Sequence, residues 1–506
     1  LRHTRWWLVW LTAASYTFYA WTQPYYLALV VYVTVVAYAS ARLMARAPAG
    51  ETRLARFHDP LLKRIFAGAV AVAGTSTLFS LFGVAAARPL LLFLAGWSLV
   101  IAAGAFAGTR SGWFVAGLLQ TIAPLLFFKY ASFLVNNANA LLAWAHVSWT
   151  LPDPATSMPF GLSYVLPLGI SFYTLQALGY LIDCLRESVE CERRPLRFAS
   201  FVCFFPNVLM GPIERASHLL PQLERLPPLR VENVTDGLSL FLVGLFKKAA
   251  LAGYLEGYVS RVYDNPAAFG GAELAAATFA YGWQLFFDFS GYSDMARGVA
   301  RVMGFHLPLN FNHPYLATGL GDFWRRWHIS LSRWILDYIF MPLQLRWREW
   351  RWLATGLALF VTFLTSGIWH GAAWTFVIWG ALHGLGLAFT HGMERSRFYR
   401  RRVPDAVKRV WVLLFVNFAW IFFRAGSLGD AWVVVTRLFT TPWHLPQVPA
   451  LMLALVVGVW LYQWVYESRF GAVLAATPVR MGFAVLMVLF LLMSSSGGGA
   501  FVYLQF

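Results

Sequence analysis

The side chains able to do chemistry in this 506-residue chain are ionisable groups set into apolar sequence, where charge is costly and usually functional. His370 lies in TSGIWHGAAW, where two apolar runs meet and Gly367 and Gly371 permit close backbone approach. A neutral imidazole at low dielectric is the simplest buried general base. It would take a proton from a hydroxyl while that oxygen attacks a thioester carbonyl, a contribution of about 10²–10⁴-fold. Position alone also admits a histidine that merely hydrogen-bonds a neighbouring helix. His328 lies in FWRRWHISLSRW, beside Trp324, Arg325, Arg326, Trp327, Ser330 and Ser332. Guanidinium groups suit phosphates and carboxylates, so a coenzyme or phosphopantetheine carrier could dock here. The pattern taken alone favours an interfacial helix with Trp and Arg anchors.

A third stretch, FFDFSGYSDMARG, holds Asp288, Ser290, Tyr292 and Asp294. Its carboxylates could orient a histidine, pair with Arg297 or bind a cation, and a proton-relay transporter would use them too. His383 follows His370 by thirteen residues, roughly 20 Å along a continuous helix, so the two meet in one contact only if the helix breaks, and a structural role is expected. His306 and His313 flank Asn310 and Asn312 and receive no chemistry. Cys184, Cys191 and Cys203 form no CxxC pair, so neither a disulfide framework nor a zinc site is expected. None of them neighbours a base in sequence, which disfavours an acyl-cysteine intermediate.

The elements that must position these groups are membrane helices. The chain is 59% hydrophobic and 12% charged, against about 25% charged in a soluble domain. Long apolar runs recur, and in hydrocarbon each must be helical to satisfy its own backbone. Spans are expected at 6–22, 25–41, 113–135, 164–184, 236–262, 352–369, 372–392, 409–424, 450–466 and 480–495, with a hairpin at 65–108 and a polar-group-bearing helix at 273–303. The stretch 198–220, broken by Pro206, Gly211 and Pro212, is expected to be re-entrant, and 318–350 interfacial. The expected fold is an all-α polytopic transmembrane helical bundle of about eleven to thirteen membrane segments. Lys247 and Lys248, inside a span, either snorkel or face a polar cavity. The net charge of +17 sits in short loops, including 395–402, which places those loops in the cytoplasm and excludes a nucleic-acid partner. The loop leading to residue 163 is nearly free of basic charge and is expected outside. Leu1 opens the chain, which leaves room for a span ahead of it, and no signal peptide with a cleavage site is expected.

Several longer motifs carry a family resemblance: FFKYASFL at 127–134, LPLGISFYTLQALGYLID at 166–183 and FFPNVLMGPIERASHLLPQL at 204–223. With them go FFDFSGYSDMARGVARVMGF at 286–305, FWRRWHISLSRW at 323–334, WHGAAWTFVIWGALHG at 369–384, NFAWIFFRA at 417–425 and the terminal FVYLQF. The chain resembles the membrane-bound O-acyltransferase (MBOAT) family, within it the bacterial alginate O-acetylation, AlgI-like, branch. The resemblance implies one membrane domain over 1–506, with the family core at 113–425, built around a central tunnel open to both faces. It implies His370 as the catalytic histidine and His328 as the second active-site histidine, with Arg325, Arg326 and Trp324 near the donor and Asp288, Tyr292 and Asp294 in support. It implies acetyl-CoA as donor, or a carrier-protein thioester as in the related D-alanyl branch, with no metal. An extracytoplasmic acyltransferase partner, a polysaccharide acceptor and a bacterial inner-membrane location follow. The 65–108 hairpin departs from the usual pattern and puts the acceptor in question more than the chemistry.

Two further functions fit the residues alone. A transporter or flippase of an acyl or polymer intermediate would use intramembrane Asp and Lys, and a structural subunit of an export complex would need neither histidine. Loss of acyl transfer on replacing His370 separates the enzyme from both.

Overall fold

The computed structural model describes residues 6–22, 24–47, 109–156, 164–444 and 448–494, and among these the regular structure is helical throughout. The expected 65–108 hairpin lies outside the described residues. Among the described residues seven helices are long and apolar enough to cross a bilayer: Pro24–Arg46, Arg110–Trp144, Val231–Tyr263, Leu353–His370, Trp374–Met393, Asp405–Arg424 and Ala450–Glu467. Ile170–Leu185 and Thr477–Met493 are shorter apolar helices. Large apolar side chains such as Leu141, Leu385, Phe389, Leu414, Leu461 and Leu486 stand exposed along them. Water would penalise such a surface and hydrocarbon would not.

The chain packs as two compact units. The first comprises Leu1–Leu209 with Ile213–Leu226, and the second Met210–Pro212 with Pro227–Phe506. In the first unit, Trp7–Thr22 stops short of Pro24, the chain turns through Pro24–Tyr26, and Leu27–Arg46 follows. Proline cannot continue a helix that precedes it, which explains the break. Helix Ile170–Leu185 is buried nearly along its whole length and packs against Leu27–Arg46 and Arg110–Trp144. The stretch expected to be re-entrant is helical only at Pro195–Val202 and Ala216–Glu224. Turns fill the interval around Pro206, Gly211 and Pro212.

The second unit is organised on Gly271–Val302, a 32-residue helix buried over most of its surface. Val231–Leu245 lies against it. A Cβ added at Gly244 would meet the Gly291 carbonyl at 2.5 Å, and one at Gly298 the Gly237 carbonyl at 2.6 Å. The two backbones can touch because both sides present glycine, as is common where helices associate in lipid. Beyond this contact the helix widens into a π-turn, Phe246–Ala252. There Lys247 Nζ donates to Asp294 at 2.7 Å and Lys248 Nζ to Asp288. The intramembrane lysines therefore neither snorkel nor stand alone; they neutralise Asp288 and Asp294 of Gly271–Val302.

The Trp- and Arg-rich 318–350 stretch forms short helices, Leu320–Arg326, Ile329–Ile335 and Met341–Arg346, with a π-turn at Leu336–Phe340. Leu428–Thr440 is a helix the sequence reading did not anticipate. It is too short to span, and it buries Ala431 and Val434 while leaving Trp432 and Phe439 exposed.

Candidate active site

His370 is the last residue of helix Trp352–His370. Gly371 then adopts an extended conformation (φ −162°, ψ 152°), and the next helix, Trp374–Met393, starts three residues on. The two helices fold back on each other. Gly367 and Gly380 meet so closely that a Cβ on Gly380 would stand 2.5 Å from the Phe363 carbonyl and 3.1 Å from Gly367 Cα. This return brings Trp379 to His370, with ring centroids 5.1 Å apart and nearly perpendicular. Phe423, from helix Asp405–Arg424, closes another side at 5.4 Å, and Trp369 a third at 5.1 Å. His370 is 7% exposed. Its place at the carbonyl end of a helix favours the cation formed when the ring captures a proton.

The hairpin also revises the expectation for His383. No continuous helix joins it to His370, so the roughly 20 Å separation does not apply. Both histidines touch Trp379, His383 at 4.8 Å. His383 is fully buried among Trp324, Trp379, Phe363, Phe415 and Trp420.

His328 is held differently. Its backbone is left-handed (φ 41°, ψ 55°) at the start of Ile329–Ile335, a conformation that costs a non-glycine residue about 1–3 kcal/mol. The cost is offset by pairing with the 310–312 segment. Ile329 N–H donates to the Asn310 carbonyl at 2.8 Å, and Asn312 N–H to the Arg326 carbonyl at 2.9 Å. The Asn310 side-chain oxygen accepts from Ser330 N–H (3.2 Å) and Ser330 Oγ (2.9 Å) and faces His328 Nδ1 at 3.1 Å. Asn310 Nδ2 donates to Ser293 Oγ at 3.0 Å, which fixes the orientation of the amide. A carbonyl oxygen requires a donor, so Nδ1 carries the hydrogen and Nε2 carries the lone pair. His328 is 1% exposed, with Phe289 at 4.6 Å, and burial pushes its imidazole down to about 3, so the ring is neutral.

The neighbours in this motif diverge. Trp324 points inward against Phe363 (5.0 Å) and Trp379 (5.8 Å), joining the cluster beside His370. Arg325 is 74% exposed and lies 3.7 Å from Asp322. Arg326 is engaged by Asp322 at 3.2 Å and by Glu467 at 2.9 Å. A succession of ring contacts, Trp379–Trp420, Trp420–Trp327, Trp327–Phe311 and Phe311–His328, links the surroundings of the two histidines. Asp288 and Asp294 are occupied by lysines, Asp294 also by Arg297 at 3.2 Å, and the Tyr292 hydroxyl bonds the Met210 backbone. Asn310 and Ser330, which set the His328 tautomer, carry no sign of that role in the sequence. An asparagine in an Asn/Pro-containing loop reads as a turn residue.

An all-helical bundle with membrane-spanning helices defines a multi-pass membrane protein, here with a histidine buried where two of the spans turn. Residues 193–428 match the MBOAT, membrane-bound O-acyltransferase family, profile. The chain is 35% identical over 375 residues to the probable alginate O-acetylase AlgI of Pseudomonas aeruginosa, covering 73% of this chain and 69% of that protein. It is 36% identical over 351 residues to the peptidoglycan O-acetyltransferase of Helicobacter pylori, spanning 63% of each. It is 30% identical over 289 residues to the teichoic acid D-alanyltransferase of Streptococcus thermophilus, covering 52% of this chain and 69% of that one. The chain belongs to the membrane-bound O-acyltransferase family.

Proposed function

We propose that this protein is an O-acyltransferase of the bacterial inner membrane. It moves an acetyl or other small acyl group from a cytoplasmic thioester to a hydroxyl on an extracytoplasmic polysaccharide or a partner acyltransferase. The observation that carries the reading is the placement of His370: a nearly buried imidazole at the turn between two spans, held by aromatic rings. Its lone pair takes the acceptor's hydroxyl proton while the oxygen forms a bond to the thioester carbonyl carbon. Collapse of the tetrahedral intermediate breaks the C–S bond, and the imidazolium returns the proton to the departing thiolate. His328, neutral and fixed in one tautomer, serves as a second group on the donor side. Arg325, exposed and paired with Asp322 only at 3.7 Å, suits the donor's phosphates better than Arg326, which two carboxylates engage more closely.

Acetyl-CoA is the favoured donor, since the relatives named above include two O-acetyl transferring proteins. D-alanyl transfer from a carrier-protein thioester is the second reading, favoured by the likeness to a D-alanyltransferase. The transporter reading is weakened by the salt bridges that engage Asp288 and Asp294. The test is reconstitution of the full chain in vesicles with [14C]acetyl-CoA outside and a hydroxyl-rich polysaccharide within. Labelled ester on the polysaccharide with an equal amount of free thiol outside is expected. Intact donor accumulating inside without ester would overturn the reading in favour of transport.

A further inference from the structure

Two cysteines of the first compact unit play no part in the acyl-transfer reading. Cys184 lies near the end of helix Ile170–Leu185, one turn beyond Tyr180. The chain then reverses. Glu187 takes a left-handed φ of 61°, its N–H reaches the Cys184 carbonyl at 3.3 Å, and Ser188 N–H reaches the Asp183 carbonyl at 3.0 Å. The returning segment is pinned where Glu192 N–H donates to the Tyr180 hydroxyl at 2.8 Å. Tyr180 and Cys184 share a helix face, so this pin brings Cys191 back over Cys184, and the two thiols make a hydrogen-bonding contact. Both border one cavity of about 280 Å³ together with Arg42, Arg110 and Glu187. Arg110 fixes the helix end by donating to the Cys184 carbonyl at 2.6 Å and pairing with Glu187. The hydrogen bond from Cys184, and then Arg110 and Arg42, hold the Cys191 thiol below its usual range against the effect of burial. Cys191 is partly exposed, whereas Cys203 is fully buried and its thiol faces the Ser15 carbonyl at 3.8 Å. The loop is rich in arginine, the mark of a cytoplasmic segment, where thiols are reduced at rest and disulfides serve as transient signals.

We propose that Cys184 and Cys191 form a redox-modifiable pair: a hydroperoxide oxidises Cys191, and Cys184 then closes a disulfide that ties the Arg186–Glu190 loop to the helix end. In the first step the Cys191 thiolate attacks a peroxide oxygen. The S–O bond forms, the O–O bond breaks, and the leaving oxygen takes a proton to depart as water or alcohol. In the second step the Cys184 sulfur displaces hydroxide from the sulfenic sulfur. The S–S bond forms, the S–O bond breaks, and the Cys184 proton leaves with the hydroxide as water. Two thiols lose two electrons and two protons, and one hydroperoxide is reduced.

The experiment uses the full chain in membrane vesicles treated with hydrogen peroxide, blocked with N-ethylmaleimide and digested with trypsin without reductant. Cleavage after Arg186 separates the two cysteines, so peptide 187–193 (ESVECER) stays attached to the peptide ending at Arg186 only through a disulfide. Peroxide is expected to lower alkylation of peptide 187–193 about tenfold and to produce the linked pair, dithiothreitol to reverse both, and Cys203 to stay unchanged. In Cys184→Ser, dimedone should trap a sulfenic acid on Cys191. Peptide 187–193 remaining alkylatable after peroxide, or passing to sulfinic acid without a linked product, would overturn the proposal. The wild-type digest decides the matter even where the variant does not fold.

Discussion

His328 and His370 are held by different forces, and each makes a different prediction. His328 is fixed by hydrogen bonds through Asn310 and buried neutral. Its folded-state pKa lies below the unfolded value of about 6.5, so unfolding takes up a proton below that pH. The stability it supports is complete above pH 6.5 and is lost as pH falls towards 3, at up to about 1.4 kcal/mol per pH unit. The stability difference between wild type and His328→Gln should therefore shrink by about 2 kcal/mol between pH 6.5 and 5, which thermal melts in detergent would measure. A pH-independent difference would remove the buried neutral imidazole. Asn310 sets which nitrogen of that ring carries the lone pair. Asn310→Ala should lower kcat about ten- to hundredfold while KM changes little, as for other orienting partners of histidine; an equal rise in KM would show that the loop merely unfolds. His370 is a candidate by position, because an ionisable residue between apolar runs is costly, but only the family resemblance of its WHG motif sets it above a merely structural histidine. Asn310 is not a candidate by position, because its role exists only once the 310–312 and 326–330 segments lie side by side.

Helix breaks and helix contacts do the positioning. The turn at Gly371–Ala373 folds Trp374–Met393 back onto Trp352–His370, and the Gly367–Gly380 approach sets how near Trp379 comes to His370. Gly380→Ala would drive a methyl against backbone atoms that cannot yield, for a loss of about 1–3 kcal/mol and a parallel loss of transfer. Gly392, in the same helix, has nothing within 4 Å of an added Cβ, so Gly392→Ala should leave melting temperature and transfer nearly unchanged. Equal effects from the two would deny the hairpin contact its role. Most of these helices were legible in the sequence, because spans of continuous apolar residues have only one way to satisfy their backbones. His383 comes near His370 because the helix breaks at Gly371–Ala373, the condition under which the roughly 20 Å separation lapses. Leu428–Thr440 is not a span-like run because, with Asp430 and Arg437, it is amphipathic and only 13 residues long, against about 20 for a span. The pairing of Lys247 and Lys248 with carboxylates depends on a π-turn, which leaves no distinctive residue pattern.

For the whole molecule the account requires a donor side and an acceptor side. The proposed orientation, drawn from loop charge, has the loop leading to residue 163 outside and 395–402 in the cytoplasm. A single cysteine at exposed Trp149, with the native cysteines replaced, should react with a membrane-impermeant maleimide applied to spheroplasts, whereas one at exposed Ser396 should react only after permeabilisation. The reverse pattern would invert the direction of transfer. The most direct test of the central claim compares wild type with His370→Gln in reconstituted vesicles at saturating labelled acetyl-CoA and acceptor, with donor binding and melting temperature measured alongside. Removing a general base should cut the rate of ester formation about 100-fold or more, with folding and donor affinity retained; a folded His370→Gln protein that transfers acetyl within a few-fold of wild type would contradict it.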